Sequence, residues 1–351
     1  GDRFAPGAVR PVPAASTLAR VVLPVLLVLV PAAPAQAEWV ERTVDGTMGT
    51  RIHVELWAQE RATGEAAIDA VLREMQRIDA SMSTYKPQSE VSRVNAQAAR
   101  APMRISRELF DLLATAVEYS RLTDGAFDIT YASVGFMYDF RRRHRPTESQ
   151  IEAALPAVNY RNLVLDRPRR TVYFSRPGVR IDLGGIAKGY AVDRGIAVLQ
   201  QRGVGHALLS AGGDSRIIGD RLGKPWIVGI RHPDHKEQVI ARVPLADTAI
   251  STSGDYERYF DENGVRYHHI LDPATGHPAS KARSATILAP TAMRTDGLSK
   301  TAFVLGPDQT LEQSPLAMAQ DYLVETREYW DDWVRSLAIP FEWQEAVIRA
   351  A

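Results

Sequence analysis

Cysteine is absent from all 351 residues. Its absence excludes a disulfide framework, thiolate metal sites, a cysteine nucleophile and a lipidated N-terminal cysteine. It leaves the compartment open, because many exported proteins carry no disulfide. Net charge is absent as well. The 42 basic and 42 acidic side chains cancel, which removes the electrostatic case for nucleic acid or for a membrane surface as partner. The apolar run Val21 to Val30 is too short to span a bilayer comfortably, which takes about 20 residues. What is present is a 45% hydrophobic share, enough to fill a core in one large domain or two modest ones.

The first residues have an order of their own. Arg3, Arg10 and Arg20 precede that apolar run, and Ala35-Gln36-Ala37 closes it. This is the charged, apolar, small-residue sequence of a secretory signal peptide, with cleavage after Ala37; the alternative is an uncleaved anchor. The expectation is an exported, periplasmic protein, peripheral to a membrane at most, whose fold begins at Glu38.

Ile52, Val54 and Leu56 alternate with polar neighbours, which predicts a half-buried strand over Thr47 to Trp57. Ile68, Val71, Leu72, Met75 and Ile78 recur at helical spacing, so Glu65 to Ser81 reads as a helix. Ser106 should cap a second helix that Gly125 stops, and a third should run from about Ile186 to Gln201. Short strands are expected at 163–165, 171–174, 180–183, 207–210, 215–219, 226–231, 238–244 and 248–252. Mixed antiparallel strands with few long helices predict an α+β fold.

Three clusters carry chemistry. In Asp182-Leu-Gly-Gly-Ile-Ala-Lys188-Gly189, two glycines join a strand to a helix. Backbone N–H groups at such a start bind phosphate oxygens, and a lysine one turn in can neutralise them; the same pattern also describes a plain turn with a solvated lysine. In His268-His269-Ile270-Leu271-Asp272-Pro273, adjacent strand residues face opposite ways, so one histidine at most enters a given site as a base. In Thr295-Asp296-Gly297-Leu298-Ser299-Lys300, the Asp and Ser oxygens can converge as hard ligands of the kind magnesium takes. An aspartate at a helix start is equally a common N-cap.

These clusters belong to a longer ordered series. Gly46-Thr-Met-Gly-Thr50, Met82-Ser-Thr-Tyr85 through Asn95, and Asp124-Gly-Ala-Phe-Asp128 come first. Asp182 through Asp193, Ala211-Gly-Gly-Asp214, Ile250 through Gly254, His269 through Gly276 and Asp296-Gly-Leu-Ser299 come after them. The series resembles the ApbE family of FAD:protein FMN transferases over about residues 44–306. The resemblance implies a T-fold-like α+β domain with FAD in a cleft as substrate. By position it implies that Met48 and Tyr85 pack on flavin or adenine, and that Ala126, Phe127 and Asp128 line the cleft. Asp182 and Ile270 would hold the cofactor, and Lys188 would meet its phosphates. The Gly185 carbonyl and the Asp296 and Ser299 oxygens would hold magnesium. The implied acceptor is an exported flavoprotein with a Ser/Thr-Gly-Ala-Ser/Thr segment, a subunit of a membrane redox complex. Its hydroxyl attacks the FMN-side phosphorus, AMP leaves, and His269 is the candidate base. Two alternatives stay open: a magnesium-dependent FAD pyrophosphatase with water in place of the hydroxyl, and a non-catalytic FAD-binding or assembly protein.

Two places depart from the family pattern. Many members place threonine, a magnesium ligand, where this chain has Lys300. An ammonium only donates and cannot ligate a cation. Either Lys300 turns away, or its charge partly replaces the metal. The second departure is the tail from 307 to 351. Its stretch from Tyr329-Trp-Asp-Asp-Trp to Ala351 resembles the start of a glucoamylase-like glycoside hydrolase. The expected division is therefore a leader over 1–37, a flavin transferase domain over 38–306 and an atypical helical tail over 307–351, either chimeric or a natural variant.

Overall fold

A computed structural model describes Gly1, residues 37–235 and residues 237–313, with backbone alone for 308–313. Residues 2–36 of the leader and the hydrolase-like part of the tail lie outside the described residues. In chain order the strands are β1 Glu38–Thr47, β2 Thr50–Ala58, β3 Met103–Arg104, β4 Leu163–Asp166, β5 Thr171–Phe174, β6 Ala207–Ala211 and β7 Asp214–Ile218. They continue with β8 Trp226–Arg231, β9 Val239–Leu245, β10 Ala249–Gly254, β11 Tyr259–Glu262, β12 Val265–His268 and β13 Ser284–Ala289. The helices are α1 Arg61–Met82, α2 Glu90–Gln97, α3 Arg107–Leu122, α4 Ala132–Gly135, α5 Glu148–Ala154, α6 Ala187–Gln201 and α7 Ala292–Gln313. The class is α+β, as the sequence predicts.

Among the described residues the main sheet has six strands in the order β1-β2-β6-β7-β10-β13. Every neighbouring pair in it is antiparallel. Strand side chains alternate between its faces. Ile52, Val54, Leu56, Ala207, Leu209, Ala211, Ile218 and Ala249 face one way, into a core shared with α1, α3 and α6. Ile217 and Ile250 face the other way and pack under the β8–β9 hairpin with Trp226, Val243 and Leu245.

The alternation on the helix side changes character along β7 and β10. Ile218 and Ala249 are apolar, whereas Asp214, Ser251 and Ser253, in step with them, are polar and buried. A buried polar group needs a partner, and α6 and α7 supply it. Ser251 bonds Thr295 at 2.6 Å and Ser253 bonds Ser299 at 2.8 Å. One end of the sheet–helix interface is therefore a polar chamber attached to an apolar core.

Two contacts fix α7 against α6. Asp193 of α6 accepts from the N–H groups of Ala292 and Met293, at 2.9 Å each. It thus caps α7 from outside, and Asp296 lies a turn further in. The N-cap alternative for Asp296 is overturned, because another aspartate does that work. At Gly189 the helices nearly touch: a Cβ there would stand 2.2 Å from the Ala292 carbonyl oxygen. Gly189→Ala is expected to cost about 2 kcal/mol through overpacking, read as a lowered urea midpoint at unchanged slope.

Several expectations are redrawn. The single strand at 47–57 is the second arm of a hairpin, turned at Met48 and Gly49, both with positive φ. Residues 180–183 pair with no strand among the described residues. Arg180 N–H donates to the Ser133 hydroxyl, Ile181 N–H to the Asn95 amide oxygen and Asp182 N–H to the Ile129 carbonyl. Irregular partners satisfy the backbone as a ladder would. Ser106 caps α3 as expected, accepting from Leu109 N–H at 3.2 Å.

Candidate active site

The chamber at the end of the sheet holds two carboxylates and two ammonium groups. Lys188, in the first turn of α6, bonds Asp214 of β7 and lies 3.5 Å from Asp296 Oδ1. Lys300, one turn after Asp296 on α7, bonds the same Oδ1. Asp296 Oδ2 accepts from Gly189 N–H at 3.0 Å. Asp296 is fully buried and Asp214 nearly so, while both lysines are partly exposed. The charged ends of the lysines thus sit between the buried acids and solvent. Burial opposes ionisation of Asp296, yet Lys188 and Lys300 hold its carboxyl below the usual range. Burial likewise opposes the Lys188 charge, and Asp214 and Asp296 outweigh it, raising that ammonium above its usual range. Asp214 Oδ1 is buried with no partner among the described residues.

The charges of Lys300 and Lys188 act on the His269 ring, whereas Asp255, Arg266 and Arg283 act on His268. His268 is buried, with Nε2 at 2.9 Å from the Ala279 carbonyl and its ring edge-on to Phe303. The His269 imidazole is pushed down to about 3, first by burial and then by the charges of Arg258 and Lys300. It is neutral at physiological pH, and its Nδ1 is buried without a partner among the described residues.

A second group lies near Arg258. Asp182 accepts from the Thr84 hydroxyl at 2.7 Å, the Tyr131 hydroxyl at 3.2 Å and Gly184 N–H at 2.7 Å. The Tyr131 phenol is raised far above its usual range by burial and then by Asp182. Tyr85, next to Thr84, is 84% exposed. Arg258 donates to the Gly49 carbonyl beside Met48 at 3.3 Å. Its charge acts on both Tyr131 and His269, so it links an aromatic end to a charged end.

The site residues named from sequence fare differently. Lys188, Gly185, Asp296 and Lys300 come together and the lysine charges reach His269, while Met48 adjoins the Gly49 carbonyl that Arg258 bonds, and Asp182 bonds Thr84, the neighbour of Tyr85. Asp128 turns inward: its oxygens accept from Thr130 and from Tyr160 N–H. Phe127 is buried and forms the floor, its ring 3.3 Å from where a Gly185 Cβ would stand. Ala126 packs with Ile270 and Phe303. Ile270 is itself buried, and its backbone is committed to His268 and Ala279. The Ser299 hydroxyl is bonded to Ser253 and to the Asp296 carbonyl, not turned toward the Asp296 carboxylate. Neither does the glycine turn present a free row of N–H groups. Gly184 N–H is held by Asp182, Ile186 and Ala187 N–H by the Leu183 carbonyl, and Gly189 N–H by Asp296. Side chains, rather than that backbone, supply the positive charge. Sequence reasoning missed Arg258 and Tyr131; Asp214 and Asp193 ended two of the motif segments but had no role assigned.

Magnesium does not fit these residues as they stand. The Lys300 ammonium occupies Asp296 Oδ1, and its stem passes over Gly185, 3.7 Å from where a Cβ would be. A cation there would meet another cation.

Paired ammonium groups, a neutral imidazole and an exposed aromatic define a site for a phosphorylated substrate with a ring system. The ApbE family pattern matches residues 48–319. The FAD:protein FMN transferase of Haemophilus influenzae is 36% identical over 295 residues, spanning 79% of this chain and 84% of the relative. That of Vibrio cholerae is 30% identical over 311 residues, spanning 84% and 90%. The crystal structure of the ApbE protein of Thermotoga maritima superposes with a TM-score of 0.73 at 36% identity, covering 79% of this chain and 90% of that one. The flavin transferase ApbE of Vibrio cholerae gives 0.71 at 30%, with coverage of 79% and 90%. This chain belongs to the ApbE family. The match runs to residue 319, past Pro307 where the sequence pattern suggested a foreign tail. The comparisons bear out the family and not the hydrolase-like reading of that tail.

Proposed function

We propose that this FAD:protein FMN transferase uses the His269–Lys188–Lys300 chamber to pass the FMN phosphoryl group to a protein hydroxyl. The observation that carries the reading is the neutral His269 imidazole, its buried Nδ1 without a partner among the described residues and its ring within reach of the charges of Lys300 and Lys188. The acceptor oxygen forms a bond to the FMN-side phosphorus of FAD. The bridging P–O bond breaks and AMP departs with that bond's electrons. The hydroxyl proton goes to His269 Nδ1. Such transfers need in-line positioning and charge neutralisation more than covalent help. Lys188 and Lys300 offer the charge, Phe127 and the glycines a close-fitting floor, and Tyr85 a face for a flavin or adenine ring.

The acceptor is a protein with a Ser/Thr-Gly-Ala-Ser/Thr segment in a membrane redox complex, and the reaction takes place after export. The ordered sequence motifs and the leader pattern support this part. Among the described residues no helix is long and apolar enough to cross a membrane. Incubation with FAD and such an acceptor, read by mass spectrometry, tests the reading. FMN bound to the acceptor with AMP released supports it; free FMN in its place means water is the acceptor.

Tyr85→Ala is expected to weaken FAD binding about tenfold, in line with the loss of one stacked ring. The thermal midpoint should not move, because the side chain is 84% exposed. Fluorescence titration with FAD checks both the direction and the size.

A further inference from the structure

We propose that the Lys300 ammonium takes the place of a divalent cation in this chain, so that FMN transfer here needs no added metal. The inference rests on the transferase reading above and concerns its charge chemistry.

Three observations support it. Asp296 has no free carboxylate edge: Gly189 N–H holds Oδ2, and Lys300 with Lys188 holds Oδ1. Charge is already balanced, with Asp214 and Asp296 matched by Lys188 and Lys300. A divalent ion would have to expel one ammonium and then sit beside it. Lastly, the lysine is built in rather than loosely swung. Its stem lies over Gly185, and only 19% of the side chain is exposed.

An ammonium has three donors. One is engaged by Asp296, which leaves two for the oxygens of a pyrophosphate entering from the solvent side. The group carries one positive charge where a divalent ion carries two. Its position is fixed before substrate arrives, which is what electrostatic stabilisation of a developing charge requires. Asp296 becomes the anchor of the cation rather than its ligand.

The test compares the native chain with Lys300→Thr, using Mn²⁺ as the metal probe and two independent readouts. Mn²⁺ binding is followed by electron paramagnetic resonance, and FMN transfer by mass spectrometry in EDTA or in MgCl₂. The native chain should bind no Mn²⁺ beyond an Asp296→Asn control, and should transfer FMN equally well in both buffers. Lys300→Thr should bind one Mn²⁺ through Asp296 and lose about a hundredfold in rate in EDTA, with MgCl₂ restoring it. Lys300→Ser serves if the threonine variant does not fold. Native Mn²⁺ binding as tight as the variant's, or collapse of native transfer in EDTA, overturns the proposal. If no protein transfers FMN in any buffer, the transferase reading fails, and the Mn²⁺ comparison still decides the role of Lys300.

Discussion

Asp296→Asn should lower stability by about 3 kcal/mol and FMN transfer by about a hundredfold or more. The stability loss comes from the charges the carboxylate leaves behind. Asp296 is fully buried and faces both Lys188 and Lys300. An amide of the same shape keeps an oxygen for Gly189 N–H but removes the negative charge. Two ammonium groups then share Asp214 alone. Breaking a buried ion pair from one side is costly because the remaining charge stays desolvated and unmatched. Both lysines reach toward solvent, so part of that cost is relieved by water, which is why the lower end of the range applies. The activity loss has a separate origin: without its anchor Lys300 can rotate out, and the substrate meets one fixed cation fewer. Denaturant unfolding measures the first effect and single-turnover transfer the second. Asp296→Asn with full stability would mean that Lys300 is not held by this carboxylate.

Acid should expose the same dependence. Asp296 is held below the usual carboxylate range, so its stabilising contribution is complete above the unfolded-state value. That contribution is lost as pH falls through the lower native value.

The sheet and its helix layer were legible wherever one face is uniformly apolar. Ile52, Val54 and Leu56 gave their strand away by period two, and Ile68 to Ile78 their helix by period 3.6. The segment at 180–183 has the same apolar alternation yet joins no ladder among the described residues, because two side chains and a backbone carbonyl from elsewhere satisfy its N–H groups. No local pattern shows that. The site divides in the same way. Lys188, Asp296 and Lys300 stood out because their motifs are ordered along the chain. Arg258 was invisible because it lies in none of the motif segments and matters only through Gly49, Tyr131 and His269, which are scattered along the chain. Asp193 and Asp296 are a sharper case. Both sit in family motifs, and either could cap α7; only the packing of α6 on α7 shows that Asp193 does. Asp128, Ile270 and Ser299 show the converse: residues of a site motif can be buried and act as its supports.

His269→Asn should lower transfer by about a hundredfold to ten-thousandfold, the usual size for a lost general base, with little change in stability near neutral pH. The two parts of this prediction have one cause. Nδ1 has no partner among the described residues, so no hydrogen bond there is broken by the substitution; the proton acceptor alone is lost. The pH dependence adds a sign. The imidazole is pushed down to about 3 in the native chain, against about 6.5 when unfolded. Between those values the unfolded chain binds the extra proton, so native stability falls as pH falls, by at most about 1.4 kcal/mol per pH unit from this group. The Asn variant should lack that slope. Catalysis should show a displaced limb as well. The pH profile of kcat/KM reports free enzyme, where Arg258, Lys300 and Lys188 suppress protonation. The profile of kcat reports the complex, where the negative pyrophosphate offsets those charges and favours the protonated ring. The acid limb of kcat should therefore lie at higher pH than that of kcat/KM, and both limbs should vanish in His269→Asn. Coincident limbs would place the pyrophosphate too far from His269 for that residue to act as the base.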